Sequence, residues 1–411
     1  MSASGEHFDV AIGGAGTVGL LIALALAATL GEGVRIALLD RAPLPGPPGR
    51  DVRASAVSAG SKRLLEALGV WSGIAGNAQP VTAIDITDSR LEDAIRPILL
   101  SYDNRLADAE PATFIIANDV LRQAVLAAVL AQPAIVARGG SALGDIAADG
   151  AGIAITAEPH RLRARLLIAA DGRASRLRQA AGIRIVRWDY PQTGIVTTVR
   201  HSRPHGGRAL QHFLPSGPFA ILPLPHNRSA ITWTEAAAPA RALLALDEPG
   251  FAAELARRFD YRLGEIEEVG DRAAWPLDMH LARELIADRV ALIGDAAHAV
   301  HPIAGQGLNL GLRDVAALTE VVADAARLGL DIGSETVLAR YQRWRRLDAT
   351  LSAATFDGLN RLFSNDWLGL RTARDVGLAL VDRLPALKAL LVAEAAGLTG
   401  EIPKLLRGER P

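Results

Sequence analysis

Residues 294–314, GDAAHAVHPIAGQGLNLGLRD, bring the acid Asp295, Pro302 and four glycines together directly after the strand-like run 289–293. An acid at a strand end can accept the ribityl hydroxyls of a flavin. The backbone amides of Gly305, Gln306 and Gly307, opening a helix through Leu308 and Asn309, can face its isoalloxazine ring. A helix N-terminus favours negative charge, such as that on a reduced flavin. Taken alone, the segment is also readable as a glycine-rich strand-to-helix turn without a ligand.

A second constellation lies at the N-terminus. The apolar run 8–12 meets Gly14, Gly16 and Gly19 in a G-x-G-x-x-G arrangement, and the helical stretch 20–30 follows. Gly14 permits the tight turn, Gly16 lets a pyrophosphate approach the backbone, and Gly19 lets the helix lie close to the strand. A second strand, 34–39, ends in Asp40, placed to accept the ribose hydroxyls of an adenosine and unfavourable to a ribose 2′-phosphate. Asp40 could equally be a surface acid at a strand end. The third constellation, Asp171, Gly172, Ser175 and Arg178 in DGRASRLR, follows the strand-like run 166–170. It reads either as a turn running beside the pyrophosphate, with Arg178 as a phosphate or acid partner, or as an ordinary turn in which Ser175 caps a helix.

Three motifs in this order resemble the class A flavoprotein monooxygenases, the p-hydroxybenzoate hydroxylase-like family, over most of the chain. The wording of 294–314, with the segments 117–125, 213–225 and 275–279, is similar to the ubiquinone-biosynthesis hydroxylases of the UbiH type. The resemblance implies an α/β fold: a Rossmann-like FAD-binding domain with an interleaved β-sheet substrate domain and C-terminal helices. FAD-binding segments are expected at 1–80, 111–182 and 275–330, substrate-domain segments at 81–110 and 183–274, and a helical region at 331–411. It further implies that Arg53 lies close to the flavin, that Arg122 faces the pyrophosphate, and that Pro302 sits near the reacting edge of the flavin. On the residues alone these are also readable as a loop arginine, an exposed helix charge and a turn proline. In the implied chemistry NADPH or NADH reduces non-covalent FAD, dioxygen adds at C4a, and the hydroperoxide delivers hydroxyl to an electron-rich ring. A ferredoxin chain is the alternative electron donor. Pro302, Gly305, Gln306 and Gly307 then form a flavin loop, with no residue assigned as acid or base.

Composition narrows the remaining classes. The 411 residues suffice for two to three domains, and half are hydrophobic while only 4% are aromatic, so the core must be aliphatic. A net charge of −1 offers no long-range attraction for nucleic acid. With no cysteine there are no disulfides, thiolate metal sites or cysteinyl flavin linkage. The N-terminus does not read as a signal peptide, and the apolar run 20–30 is too short to span a bilayer, so the expected location is cytoplasmic. His298 and His301, three apart, lack a third metal ligand and are expected to form structural hydrogen bonds.

Helices are expected at 61–68, 118–130 and from 308 onward. The stretches 134–137 and 152–156 read as hairpin strands feeding the strand at 166–170. Strands at 194–199, 209–213, 219–222 and 229–233 are spaced as one sheet layer. The C-terminal segment 356–391, with Phe363, Trp367, Leu368 and Leu370, either packs on the FAD domain or offers a peripheral contact with the inner membrane or a quinone-synthesis complex.

The leading expectation is an FAD-dependent hydroxylase of a polyprenylated phenol in ubiquinone biosynthesis. Its rivals are a hydroxylase of a soluble phenol or polyketide and a non-catalytic flavoprotein scaffold. A nicotinamide dehydrogenase would leave the motif at 294–314 without purpose.

Overall fold

The computed structural model describes residues 6–46, 51–93 and 96–411, so part of the Pro/Gly stretch 42–51 lies outside the described residues. The chain opens with β1 (Glu6–Gly13), α1 (Thr17–Leu30) and β2 (Ile36–Leu39), then β3 (Ala54–Ser58), α2 (Ala59–Ala67) and β4 (Gln79–Pro80). Next come β5 (Ala83–Asp88), β6 (Leu100–Asp103), β7 (Thr113–Ala117), α3 (Asn118–Leu130) and β8 (Ile135–Arg138). β9 (Ala142–Asp149), β10 (Gly152–Glu158), β11 (His160–Ala169) and α4 (Arg176–Ala180) follow. The long β12 (Ile185–His201) begins a run with β13 (Arg208–Leu214), β14 (Gly217–Leu224), β15 (Arg228–Ala236), α5 (Ala237–Ala245) and α6 (Glu248–Arg258). β16 (Ile266–Val269), β17 (Ala273–Ala282), β18 (Ile286–Ala287), β19 (Val290–Leu292) and β20 (His298–Ala299) lead to the helices α7 (Gly307–Arg327), α8 (Glu335–Phe363), α9 (Leu368–Asp382) and α10 (Pro385–Ala395).

The first sheet runs β18-β19-β11-β1-β2-β8, with β10 paired to β11 and β9 paired to β10. β1 pairs in parallel with both β11 and β2, so Gly13 lies between Ala169 and Leu39 and all three strands end at one edge. α1 is apolar all round and accordingly buried from Gly19 through Ala27. The segment 134–137 is no hairpin strand. It belongs to β8, which pairs in parallel with β2 after the α3 crossover, because a strand reached through a helix returns in the same direction. β10 does form a hairpin with β11, as read, and its other antiparallel partner is β9, whose glycine and two aspartates hide its strand character.

The second sheet runs β20-β17-β12-β15-β14-β13-β5-β6, antiparallel except for β13 on β5. Its pairing continues through β17 to Ala282 and includes β20, beyond the expected end at 274. One face packs Phe219, Ile221, Ile231 and Trp233 against Leu243 of α5 and Phe251 and Leu255 of α6. These two helices lie inside the span read from sequence as sheet. The other face is turned toward the first sheet and its loops.

The C-terminal helices join both halves. Phe363 of α8 is 5% exposed and stacks on Phe213 of β13 with ring centroids 4.0 Å apart, so this segment packs on the second sheet as well as the FAD side. In α9, Arg374 Nε donates to Asp88 Oδ2 at 2.7 Å, a buried ion pair. The side chain of Leu368 lies outside the described ones.

A Cβ added at Gly19 would lie 1.9 Å from the Gly14 carbonyl oxygen, whereas one at Gly16 would meet no protein atom within 4 Å. Gly19→Ala is therefore expected to destabilise the ligand-free protein by at least about 2 kcal/mol. Gly16→Ala should stay within about 0.5 kcal/mol. Thermal unfolding of both variants checks the contrast.

Candidate functional site

A cavity of about 900 Å³ runs between the two sheets. Gly16, Thr17, Arg53, Gly172 and Asp295 line one end. Pro302, Gly305, Gln306, Gly307 and Leu308 line the middle, opposite the inner face of the second sheet, and side chains of α8, α9 and α10 line the far end.

The N-terminal turn is held by sterics and by one carboxylate. Gly14 has φ +104°, and a Cβ there would lie 2.3 Å from the Ala170 oxygen. Asp40 accepts from Ala15 N at 2.6 Å and from Ala42 N at 2.8 Å, so it braces the glycine turn, and each oxygen retains a lone pair. Gly16 caps α1 without any side-chain hydrogen bond, which leaves the helix N-terminus open to the cavity.

In the second motif, Ser175 caps α4 by accepting from Arg178 N at 2.9 Å, and Asp171 supports that turn by accepting from Ser175 Oγ, from Arg176 N at 2.8 Å and from Leu177 N at 3.1 Å. Gly172, at φ +82°, carries the backbone along the cavity wall. Arg178, which one of the two readings made a phosphate or acid partner, bonds the backbone instead. It is buried and donates to Ala296 O at 2.9 Å and Arg173 O at 3.1 Å, tying this turn to the one after β19. Of the arginines in this motif, Arg173 lines the cavity, paired with Asp278 of β17.

The turn after β19 depends on a buried acid. Asp314 of α7 accepts from Gly294 N at 2.9 Å and bonds His298 Nε2 at 2.7 Å, while Arg345 Nε of α8 donates to its other oxygen at 2.7 Å. Burial alone would raise the Asp314 carboxyl, but His298 and Arg345 hold it below its ordinary range. Gly294 adopts φ +57°, and Asp295 is left exposed on the cavity wall. Arg345 also donates to Leu310 O at 3.3 Å and pairs with Asp348.

His298 thus has its structural bond, whereas His301 has none. Buried, with neither ring nitrogen bonded among the described residues, it sits edge-on to Tyr190 at 5.2 Å, and burial pushes it down to about 4, so it is neutral. Among the described residues no group of three or more metal-ligating side chains converges.

Gly305 adopts φ +62°, and a Cβ there would approach that of Ala56 to 3.2 Å. Gln306 caps α7 without a side-chain bond, so a second helix N-terminus opens into the same cavity. Asn309 uses its whole amide within the protein. It donates to Ala56 O at 2.8 Å and Gln306 Oε1 at 3.1 Å, and accepts from Ser58 N at 3.0 Å and Ser61 Oγ at 2.9 Å. It therefore orients the loop.

Arg53 lies 5.6 Å over the Trp275 ring and bonds Asp51 at 2.6 Å, and that carboxylate, with Asp295, raises its pKa. Arg122 is half-buried on α3, whose Asn118 and Leu121 line the cavity while Arg122 itself does not. The site residues that sequence reasoning missed are Arg173, Asp314 and Arg345. Only Asp314 carried a signal, as an acid interrupting the apolar helix phase of LGLRDVAAL.

Because the folded Asp314 carboxyl titrates below its ordinary value, its contribution is complete above about pH 4 and is lost as pH falls through the folded value. Asp314→Asn should cost about 3–5 kcal/mol near neutral pH. The gap to the wild type should narrow below about pH 4, as read by urea unfolding at the two pH values.

The comparisons agree with this geometry. The FAD binding domain family matches residues 7–353. The ubiquinone hydroxylase UbiL of Rhodospirillum rubrum is 42% identical over 97% of this chain and 92% of its own length. The 3-demethoxyubiquinol 3-hydroxylase of Escherichia coli is 33% identical over 95% and 98%, respectively. Among solved structures, the p-nitrophenol 4-monooxygenase PnpA of Pseudomonas putida superposes with a TM-score of 0.77 at 20% identity, covering 97% of this chain and all of that one, and so shares the fold. With an α/β architecture of this type, glycine turns shaped for a dinucleotide and full-length relatives that are hydroxylases, the chain belongs to the FAD binding domain family as an FAD-dependent monooxygenase.

Proposed function

We propose that this protein hydroxylates the aromatic ring of a polyprenylated phenol in ubiquinone biosynthesis, using dioxygen and a nicotinamide reductant. The observation that carries the reading is the shape of the cavity. Beyond the flavin loop it continues as an apolar passage past Phe356, Leu359, Phe363, Leu378 and Val381. It reaches the surface beside Leu351 and Leu391, which are 57% and 47% exposed. A soluble phenol needs no such passage; a prenyl chain does.

The chain's own groups suit FAD. Gly16 leaves space for the pyrophosphate at the open end of α1, Asp40 has lone pairs for the ribose, and Arg122 of α3, set off the cavity lining, is the cation we assign to the pyrophosphate. Asp295 is placed to accept the ribityl hydroxyls, and Arg53 offers a cation at the same wall. The amides of Gly305, Gln306 and Gly307 present the open N-terminus of α7, with Pro302 beside them, to the ring end of the cofactor. When bound, FAD supplies the two-electron chemistry that splits dioxygen into one ring hydroxyl and one water at the expense of NAD(P)H. The protein holds the phenol and keeps bulk water from the reacting edge.

A prenylated substrate resides in a bilayer. No helix among the described residues is long and apolar enough to cross one. On and beside α9 and α10, however, Trp367, Val376, Leu380, Leu384 and Leu390 are exposed, Trp367 to 72%. This face is proposed as a peripheral contact with the membrane or with a quinone-synthesis partner.

Deleting the gene should cause one under-hydroxylated prenylphenol to accumulate in cells, and mass spectrometry of the quinone intermediates would identify the missing oxygen. An unchanged profile without a compensating paralogue would reject the reading. Asp295→Ala should lower FAD occupancy of the purified protein about tenfold through loss of a charged acceptor. Undiminished occupancy would remove Asp295 from the site.

A further inference from the structure

The strand registers place six residues in one row across the second sheet: Leu100, Ile86, Gln211, Ala220, Thr232 and Val196. All six line the cavity, and only Gln211 and Thr232 are polar. Gln211 Nε2 is shielded from solvent and has no hydrogen-bond partner among the described residues. A buried amide N–H without an acceptor is costly, and a leucine or methionine would fill this place without that cost. The donor therefore calls for an acceptor that the protein itself does not supply.

Neighbours on the same strand face show where this donor points. Ala209, two residues before Gln211, clusters with Ala56, the residue on which Gly305 packs. Phe213, two residues after it, clusters with Ile303. Gln211 lies between them, so it faces the loop 303–305 across the cavity. Thr232 stands two strands away, roughly 10 Å along the sheet. The small side chain of Ala220 lies between the two and leaves room for a flat ring.

We infer that Gln211 and Thr232 are the positioning pair for the substrate ring, an inference that rests on the aromatic hydroxylase reading above. The Gln211 amide donates to a ring oxygen, and the Thr232 hydroxyl bonds the same oxygen or a second one. The ring is thereby held flat over Ala220 with one edge toward Pro302 and Gly305. Neither residue transfers a proton or touches the cofactor; together they set which ring carbon meets the oxidant.

The test uses the purified FAD holoenzyme with 2-prenylphenol and phenol as probes. Binding is read from perturbation of the flavin absorbance, and coupling from hydroxylated product formed per NAD(P)H consumed, the remainder appearing as hydrogen peroxide. Gln211→Leu should weaken probe binding roughly tenfold, as expected for one lost hydrogen bond. It should shift turnover from product to peroxide and leave FAD content and thermal midpoint no lower than wild type, because an unbonded buried donor has been removed. Thr232→Val should act in the same direction, and Thr232→Ser should restore coupling. Wild-type affinity and coupling in Gln211→Leu would overturn the assignment, as would loss of FAD or of folding in that variant, since either shows a structural role. If the wild-type enzyme hydroxylates phenol but not 2-prenylphenol, the prenyl reading fails while the pair is still tested on phenol. If it hydroxylates neither probe, the aromatic hydroxylase reading fails and the pair falls with it.

Discussion

A single buried carboxylate, that of Asp314, holds the site together. An anion removed from water survives only if charged and hydrogen-bonding partners replace its solvation. Asp314 obtains them from three separate places: the Gly294 amide after β19, the His298 ring on β20 and the Arg345 guanidinium on α8. Each bond locates one piece of the cavity wall. The amide bond fixes the turn that exposes Asp295, and Arg345, through Leu310 O, ties α8 to the first turns of α7. The open N-terminus of α7 is therefore aimed at the cavity by Asp314, His298 and Arg345, none of which lines it.

Further crosslinks repeat this logic along the cavity. Arg178 fastens the turn after β11 to the turn after β19, so the two wall segments are tied together. Asn309 binds α7 to β3 and α2, setting the height of the Gly305 loop above Ala56. At the far end, Arg374 and Asp88 pin α9 to the second sheet. The apolar faces of α9 and α10 are thus free to line the passage on one side and meet the surroundings on the other.

Much of this was legible in the chain before folding was considered. Glycines 14, 16 and 19 follow an apolar run and precede a helix, and local sterics alone dictate a turn there. The central sheet strands 209–213, 219–222 and 229–233 appear as short apolar runs at regular spacing and lie within β13, β14 and β15. Less legible were β8 and β9, because strand partners are chosen by the crossover through α3, not by local pattern. The helices α5 and α6 were also hidden, since nothing in a strand-rich stretch announces that the outer face of a sheet must be covered.

The sequence by itself determined the backbone devices: where glycines permit a ligand to approach, where helices begin without caps, and which family such an order of motifs belongs to. These follow from interactions between near neighbours in the chain. Only the tertiary structure decided the partners of the charged and polar side chains. Arg178, open to reading as a phosphate or acid partner, is spent on two carbonyls, whereas Arg173 of the same turn reaches the cavity. Gln211 reads as an ordinary strand residue until the register sets it opposite the flavin loop without a partner. A side chain's role depends on what lies across the space it faces, and that neighbour is brought there by folding from a distant part of the chain.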